Sequence, residues 1–266
     1  MSEPATRRPA GTAAPSIIAR ALTTQLEFEG AVDLQKQIWG FDDIELLPVR
    51  LFVVATKVGG QAFGAFDGHR LVGFCLAIPG LKASGGSYLH SHMLGVIPEY
   101  RDSGVGRLLK LKQREDALAR SIHLIEWTFD PLEIKNAYFN MERLGAIVRR
   151  YVRNQYGTTT SRLHAGLPTD RCIAEWWIAS PRVKALLDAA SPLPKPETIA
   201  RIRVPASIGQ LRHDDPRLAR QIQQQVSRDF LEGFDRGLVV TGVERSPDAG
   251  TFLLAPWETL EPQIQE

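Results

Sequence analysis

The stretch Leu94-Gly-Val-Ile-Pro-Glu-Tyr-Arg-Asp-Ser-Gly-Val-Gly-Arg-Leu-Leu109 decides the fold of this chain. It predicts a strand, then a loop with the pattern Arg101-x-x-Gly104-x-Gly106, then a helix. Small residues let a ligand approach the main chain, and glycine can take a positive φ. The first N–H groups of a helix lack internal partners and lie at the positive end of its dipole. The loop therefore predicts a pyrophosphate site, to which Arg101 and Arg107 can add charge-assisted hydrogen bonds.

A plain strand-to-helix turn also fits this loop, because a glycine pattern alone is weakly specific. The spacing is not Gly-x-Gly-x-x-Gly, and no Gly-Lys-Ser/Thr closes it, so the dinucleotide and P-loop motifs are excluded.

Apolar periodicity and turn residues predict elements on both sides of this loop. Asp67-Gly68 is a strong hairpin signal between two of the strands. The predicted helices cover 27–39, 104–120, 134–144 and 218–230. The predicted strands cover 49–56, 61–66, 71–78, 88–96, 124–129, 146–153, 172–178, 201–204, 238–243 and 251–254.

This order of elements predicts a mixed α/β fold with a largely antiparallel central sheet flanked by helices. We expect a flexible tail over 1–20 and a core domain over 21–185. A proline-rich linker is predicted over 186–200, because three prolines fall there. A small βαβ-like extension follows over 201–266.

The composition excludes several classes of protein. The net charge is only +2, which gives no general attraction to nucleic acid. No run approaches the roughly 18 apolar residues of a membrane helix, and the first 16 residues lack the apolar core of a signal peptide. Two cysteines, Cys75 and Cys172, stand in apolar settings and are expected to be buried. A cytoplasmic location is therefore predicted.

Three features together carry a resemblance to a known family. The loop is similar to the coenzyme-A-binding motif Gln/Arg-x-x-Gly-x-Gly/Ala of the GNAT acyltransferase superfamily, and the order of elements matches over about residues 27–180. The runs WTFDPLEIKNAYFNMERLGA (127–146) and YGTTT…GLPTDR (156–171) resemble a bacterial-type branch with a C-terminal extension. The resemblance implies a GNAT-like fold with acetyl-CoA or another acyl-CoA as co-substrate, and no metal.

The resemblance also implies which residues bind coenzyme A. Pantetheine pairs like an extra strand with the fourth strand of these enzymes, where the fifth strand splays away. The main chain of the fourth strand would hold that arm, the loop would cover the pyrophosphate, and an asparagine of the following helix would contact pantetheine. The corresponding residues are Leu94, Gly95, Val96, Arg101, Ser103, Gly104, Val105, Gly106, Arg107, Asn136 and Asn140.

Two histidines are candidates for the general base that deprotonates an attacking amine. His90 and His92 lie two residues apart on one strand, so the period of two predicts that they share a face with Leu94. An imidazole titrates near neutral pH, which suits this role. The pair resembles that of the arylalkylamine N-acetyltransferases, which relay a proton through water. A pair of hydrogen-bonded structural histidines is an equal alternative, and metal binding is disfavoured because no third ligand stands nearby in the sequence.

The general acid departs from the family pattern. Aligning Arg143-Leu-Gly-Ala146 with the family's Lys-x-Gly-Phe ending puts Met141 where a tyrosine often serves as acid. Tyr138 lies one helical turn earlier and is the candidate substitute, with packing as its alternative role. Glu126 alternates onto one strand face with Thr128 and Asp130, and is a reserve base.

Late in the core, four arginines form a group that could grip a carboxylate, although a solvated face is the commoner outcome. They are Arg149, Arg150, Arg153 and Arg171. Trp127, Trp176 and Trp177 are expected to lie in the core.

The resulting hypothesis is an N-acyltransferase that moves an acetyl or other short acyl group, with succinyl as an alternative, to the amine of a small molecule such as an amino acid. The transfer would occur by direct attack in a ternary complex. The alternative is a non-catalytic acyl-CoA sensor. The expected partners are a coenzyme A thioester and a small amine, without nucleic acid or membrane, and a homodimer is left open.

Overall fold

A computed structural model describes residues 17–83, 85–157, 166–188 and 195–264. Ten strands form one sheet in the order β1-β2-β3-β4-β5-β7-β6-β9-β10-β8. The strands are β1 Ile18–Ala21, β2 Gln61–Asp67, β3 Arg70–Leu81, β4 Ser87–Val96, β5 Leu124–Phe129, β6 Ile147–Val152, β7 Arg171–Trp177, β8 Ala200–Pro205, β9 Leu238–Arg245 and β10 Ala249–Pro256. Neighbouring strands are antiparallel except for β4 and β5. The predicted mixed α/β class with a largely antiparallel sheet is confirmed.

Eight helices accompany the sheet within the described part of the chain. They are α1 Gln25–Trp39, α2 Val49–Lys57, α3 Val105–Ala119, α4 Ile134–Tyr138, α5 Pro181–Leu187, α6 Ile208–Asp214, α7 Pro216–Asp235 and α8 Trp257–Ile264. The helix α4 continues into a π-helical turn, Phe139–Arg143. None of these helices is long and apolar enough to cross a membrane.

One predicted strand is wrong, because residues 49–56 form the helix α2. The run is rich in valine, which favours strands, but Phe52 and Ala55 lie one helical turn apart and are both buried. Phe52 packs against Phe74 of β3 and Phe28 of α1. Burial of one helical face therefore overrides the local β propensity.

Helices cover both faces of the sheet. Adjacent residues of β3 show the division: a Cβ on Gly73 would meet Val105 of α3, whereas Phe74 contacts Trp39 of α1. The helix α7 lies on the α3 face, where Phe230 packs in one cluster with Ala117 of α3. The helix α8 lies on the α1 face, where Leu260 packs against Ile147 of β6. We call these the α3 face and the α1 face.

The C-terminal segment continues the sheet of the core. The strand β9 pairs with β6 at Val148↔Val240, and β10 lies between β9 and β8. The order strand–helix–strand is present, with β10 separating β8 from β9, so the βαβ-like motif is interrupted by one strand. Residues 18–20 of the predicted tail belong to β1, while 1–16 and the linker residues 189–194 lie outside the described residues. The division into core and extension stays a prediction.

Candidate functional site: a gap between two strands

The parallel strands β4 and β5 separate part-way along their length. They pair only at Leu89↔Ile125 and His90↔Glu126, although β4 continues to Val96 and β5 to Phe129. Beyond His90, β4 stays paired with β3, but its edge toward β5 has no strand partner among the described residues and borders a gap. An extended ligand can hydrogen-bond to such an exposed strand edge.

The predicted pyrophosphate loop lies at the end of β4 and leads into α3. Gly104 has a φ of 87°, which suits glycine, and precedes the first residue of the helix, Val105. Residues 101–104 are exposed. The first turn of α3 has no side-chain cap, whereas Thr24 and Glu27 form a capping box on α1. The outward-facing N–H groups of α3 are thus left to an external acceptor.

Other side chains of the loop have internal partners. The hydroxyl of Ser103 donates to the Tyr100 carbonyl oxygen over 2.6 Å. Arg101 donates through Nε to the Val96 carbonyl oxygen and through a terminal nitrogen to that of Ile38, at 3.3 and 3.5 Å. Arg101 therefore joins the loop to the ends of β4 and α1 in this structure. Arg107 is exposed on the first turn of α3.

A β-bulge at His92 changes the predicted face of Leu94. Ser91 pairs with Ala77 and Met93 pairs with Leu76, so His92 is the extra residue. The rings of His90 and His92 are neighbours, with centroids 6.0 Å apart. Leu94 contacts the position of Gly106 in α3 instead, because its Cδ2 lies 3.6 Å from where a Cβ there would be. The prediction that both histidines share a face with Leu94 is therefore wrong for Leu94.

Both histidines have a low proton affinity. Burial lowers the pKa of His90, nearby His92 lowers it further, and Glu126 raises it in part. Burial also lowers the pKa of His92. Both imidazoles are therefore neutral at pH 7, the form in which a histidine can accept a proton.

A charged network covers the α1 face beside the gap. The Glu126 carboxylate, on β5, accepts from Lys82 Nζ at 2.9 Å and from Arg150 at 2.6 Å. The neighbouring Glu175, on β7, accepts from Arg149 at 2.6 Å and from Arg150 at 3.3 Å. A second bulge, between Val148 and Arg150, places both arginines within reach of Glu175. Three cations and two carboxylates give this network a formal surplus of one positive charge.

Aromatic rings border the network. The ammonium of Lys82 lies 5.5 Å from the Trp177 ring centroid and 5.7 Å from that of Tyr88. The guanidinium of Arg149 lies 4.1 Å from the ring centroid of Trp257, the first residue of α8. The C-terminal segment, through Trp257, therefore lines one side of this network. Sequence reasoning missed Lys82, Glu175 and Trp257; alternation along β7 was the available signal for Glu175.

The helix after β5 holds the two predicted asparagines in different settings. Asn136 is exposed in α4. Asn140 is 1% exposed in the π-helical turn, and its Nδ2 has no hydrogen-bond partner among the described residues. A buried amide donor without a partner is costly unless a ligand accepts its hydrogen bond. π-Helical turns occur frequently at functional sites.

Tyr138 and Met141 lie toward the C-terminal segment. The guanidinium of Arg245, on β9, lies 5.2 Å from the Tyr138 ring centroid. Met141 is 1% exposed and belongs to the main core cluster. Both side chains therefore have packing contacts in this structure.

The remaining predicted residues are dispersed. Arg153 donates to Ser227 on α7 and lines a cavity of about 500 Å³. Arg171 lies 5.3 Å from the ring centroid of Tyr156, whose hydroxyl hydrogen-bonds with Thr128. The four arginines therefore do not form one group.

Several predicted core residues have the expected positions. Trp127 and Trp176 are buried in edge-to-face contact, while Trp177 is partly exposed beside the network. The thiols of Cys75 and Cys172 are free and buried, as predicted. No three potential metal ligands come together in the described ranges.

One buried charge on the α3 face was not predicted. Lys110 is 3% exposed, and its Nζ donates to Ser91 Oγ at 2.8 Å. The same ammonium lies 3.7 Å from the Trp127 ring centroid. Burial lowers the pKa of Lys110 to about 7.

Comparison with known proteins gives matches among solved structures alone: no family model and no curated protein matches this chain. NAA60 of Arabidopsis thaliana, solved with a bisubstrate analogue, is 15% identical, with a TM-score of 0.50 over 61% of this chain and 98% of that one. The yncA protein of Salmonella typhimurium, assigned as an acetyltransferase and solved with its cofactor acetyl-CoA, is 11% identical, with a TM-score of 0.50 over 61% and 94%.

A third similar structure has a slightly lower TM-score. It is a protein assigned to the GNAT family of acetyltransferases from Desulfovibrio desulfuricans, 14% identical over 62% of this chain and all of that one, with a TM-score of 0.49. At identities this low, the likeness shows the fold alone. The chain has the fold of the GNAT N-acyltransferases.

Proposed function

We propose that this protein is an acyl-CoA-dependent N-acyltransferase that moves an acetyl or other short acyl group from coenzyme A to the amine of a small molecule. The observation that carries the proposal is the gap between β4 and β5, which leads to the uncapped first turn of α3. An extended pantetheine arm fits an unpaired strand edge, and a pyrophosphate fits an open helix N-terminus. The Nδ2 of Asn140, which has no partner among the described residues, offers a donor to the arm.

The proposed binding site uses the main chain of Leu94, Gly95 and Val96 for pantetheine. The residues 103–107 would cover the pyrophosphate, because they are small or present their N–H groups outward. Exposed Asn136 and Arg107 would contact the coenzyme from the sides of the gap. Arg101 would act through its hydrogen bonds to β4 and α1, which hold the loop in place.

The proposed chemistry begins with the amine on the α1 face. His90 and His92 are neutral at pH 7 and adjoin the point where the strands separate, so they can accept the amine proton through water. The amine nitrogen then attacks the thioester carbonyl carbon, and a main-chain amide of β4 between His90 and Leu94 stabilises the oxyanion. Glu126 remains the reserve base, although its two ion pairs favour an organising role.

The acceptor proposed is a small amine that carries a carboxylate, such as an amino acid. The surplus positive charge of the network favours an anionic group near Arg149 and Arg150. The half-exposed guanidinium groups, 31% and 45% exposed, remain accessible from solvent.

Release of coenzyme A over a panel of amines tests this proposal. Acetyl-CoA and succinyl-CoA serve as donors, and the panel contains amino acids, their decarboxylated analogues and a short peptide. Release with amino acids, but not with the matched decarboxylated amines, supports both transfer and the carboxylate preference. Binding of coenzyme A without release over the whole panel would favour the alternative, a non-catalytic acyl-CoA sensor.

A further inference from the structure

Lys110 occupies a position defined by the separation of the two strands. The last pair between β4 and β5 is His90↔Glu126. The next residue is Ser91 on β4 and Trp127 on β5. The Lys110 ammonium contacts both, at 2.8 Å from Ser91 Oγ and 3.7 Å from the Trp127 ring centroid. The ammonium therefore spans the two strands at the apex of the gap, on the α3 face.

The surroundings of this ammonium do not neutralise it. Within the described ranges Lys110 contacts Ser91 and Trp127 and forms no ion pair with a carboxylate. The hydroxyl of Ser91 donates in turn to Gln113 Oε1 at 3.1 Å. Two titratable groups interact electrostatically with Lys110: Cys75 on β3 raises the pKa of Lys110, and Lys110 lowers the pKa of His90 on β4. A buried ammonium without an anion costs free energy, so an anion arriving at the apex would be strongly favoured.

Acyl transfer creates such an anion. If coenzyme A binds as proposed above, its thioester lies at the apex, and the departing sulfur takes the electron pair of the carbon–sulfur bond. We propose that Lys110 is the proton donor to this sulfur. As the carbon–sulfur bond breaks, a proton passes from Nζ to the sulfur, which leaves as a thiol, and Lys110 is left as a neutral amine. Solvent restores the proton of Lys110 after coenzyme A departs.

Two observations support this assignment over the tyrosine predicted from the sequence. Tyr138 lies against Arg245 of β9, on the side of α4 that faces the C-terminal segment. The pKa of Lys110, lowered by burial to about 7, makes the ammonium ready to give up a proton near neutral pH. An ordinary lysine would hold its proton too tightly for this role.

The acidity of the thiol in bound coenzyme A tests the proposal without knowledge of the acceptor. The thiolate absorbs in the ultraviolet, so its fraction can be followed against pH, with desulfo-coenzyme A as the blank. In the wild-type protein the thiol pKa should fall below that of free coenzyme A by about 1 unit or more, because an ammonium lies beside the sulfur. Lys110→Met should abolish this shift, and Lys112→Met, on the exposed side of the same helix, should preserve it.

Each outcome decides between the hypotheses. An unchanged thiol pKa in Lys110→Met, with coenzyme A still bound, would overturn the role of Lys110 and leave the proposed function standing. Absence of coenzyme A binding in the wild-type protein would overturn both. If Lys110→Met fails to bind, Lys110→Arg decides: the retained charge should keep the thiol pKa low while acyl transfer falls at least tenfold, and an unshifted thiol pKa would overturn the proposal.

Discussion

The two faces of the sheet differ sharply where β4 and β5 separate. The α1 face carries five charged side chains in mutual ion pairs, three of them partly exposed, beside two neutral histidines. The α3 face carries one buried ammonium among apolar and neutral polar groups. The α1 face is suited to a polar acceptor and to taking up a proton. The α3 face is suited to stabilising an anion beside a buried ammonium, because charges interact more strongly in a buried setting.

The largest effect is expected from the histidines of the α1 face. Changing both His90 and His92 to alanine should lower turnover at neutral pH by at least tenfold, and by about 100-fold if they are the only base. Affinity for coenzyme A should not change, because the loop 101–104 and the first turn of α3 are untouched. Steady-state kinetics and calorimetry on the same preparation check both statements; undiminished turnover would remove the pair from the mechanism.

The pH dependence of turnover also tests whether the histidines are the general base. A base must be neutral, and the pKa values of both histidines lie below their usual range. On the acid side, activity should therefore fall only as the pH drops below 7 and through that lowered range. A loss of activity centred above pH 7 on the acid side would show that another group is the base.

Replacing the buried ammonium of the α3 face should raise stability. Lys110→Met removes an uncompensated buried charge, and we expect at least about 1 kcal/mol more free energy of unfolding at pH 7. The folded pKa is lowered to about 7, so the penalty is complete below pH 7 and is relieved as the pH rises toward the unfolded value. The gain should therefore shrink between pH 7 and about 10. Chemical denaturation at several pH values measures it, and a gain independent of pH would contradict this account.

The smallest effect is expected from the carboxylate of the α1 face. Glu126→Gln leaves Lys82 and Arg150 with a neutral partner, but both are partly exposed and can be solvated. The cost in stability should be about 1 kcal/mol, well below that of breaking a fully buried pair. Thermal unfolding of Glu126→Gln is compared with that of Lys112→Met, which removes an exposed ion pair. A loss of stability several times larger than about 1 kcal/mol would show that the network is closed to water.

Most of the fold, and the loop before α3 in the candidate site, could be predicted from the sequence. Glycines, turns and apolar periodicity located the hairpin, the loop before α3 and the helix α7, because those signals are local. The region 49–56 was predicted wrongly because its helical face is selected by burial of Phe52 and Ala55 against other elements. The secondary-structure propensity of a segment contains no information about its tertiary packing.

The geometry of the candidate site was harder to predict because it depends on bulges and on long-range contacts. The bulges at His92 and Arg149 insert one residue each and so break the period of two on which the face assignments relied. Lys110 lies in the buried stripe of α3 beside Leu109, and no local pattern distinguishes a buried lysine from a solvated one. Its environment comes from Ser91 and Trp127, which lie on two other elements.

Calorimetric binding of coenzyme A to a Gly106→Glu variant tests the central claim most directly. Gly106 has ordinary space around it, and an acidic residue in the first turn of a helix is stabilising, so the variant should fold normally. Gly209→Glu is the matched control, because it places the same side chain in the first turn of α6 with open space around it. We predict binding to the wild-type protein and to Gly209→Glu, and its loss in Gly106→Glu. Equal binding to all three proteins, or binding to none, would contradict a coenzyme A cradle at the start of α3.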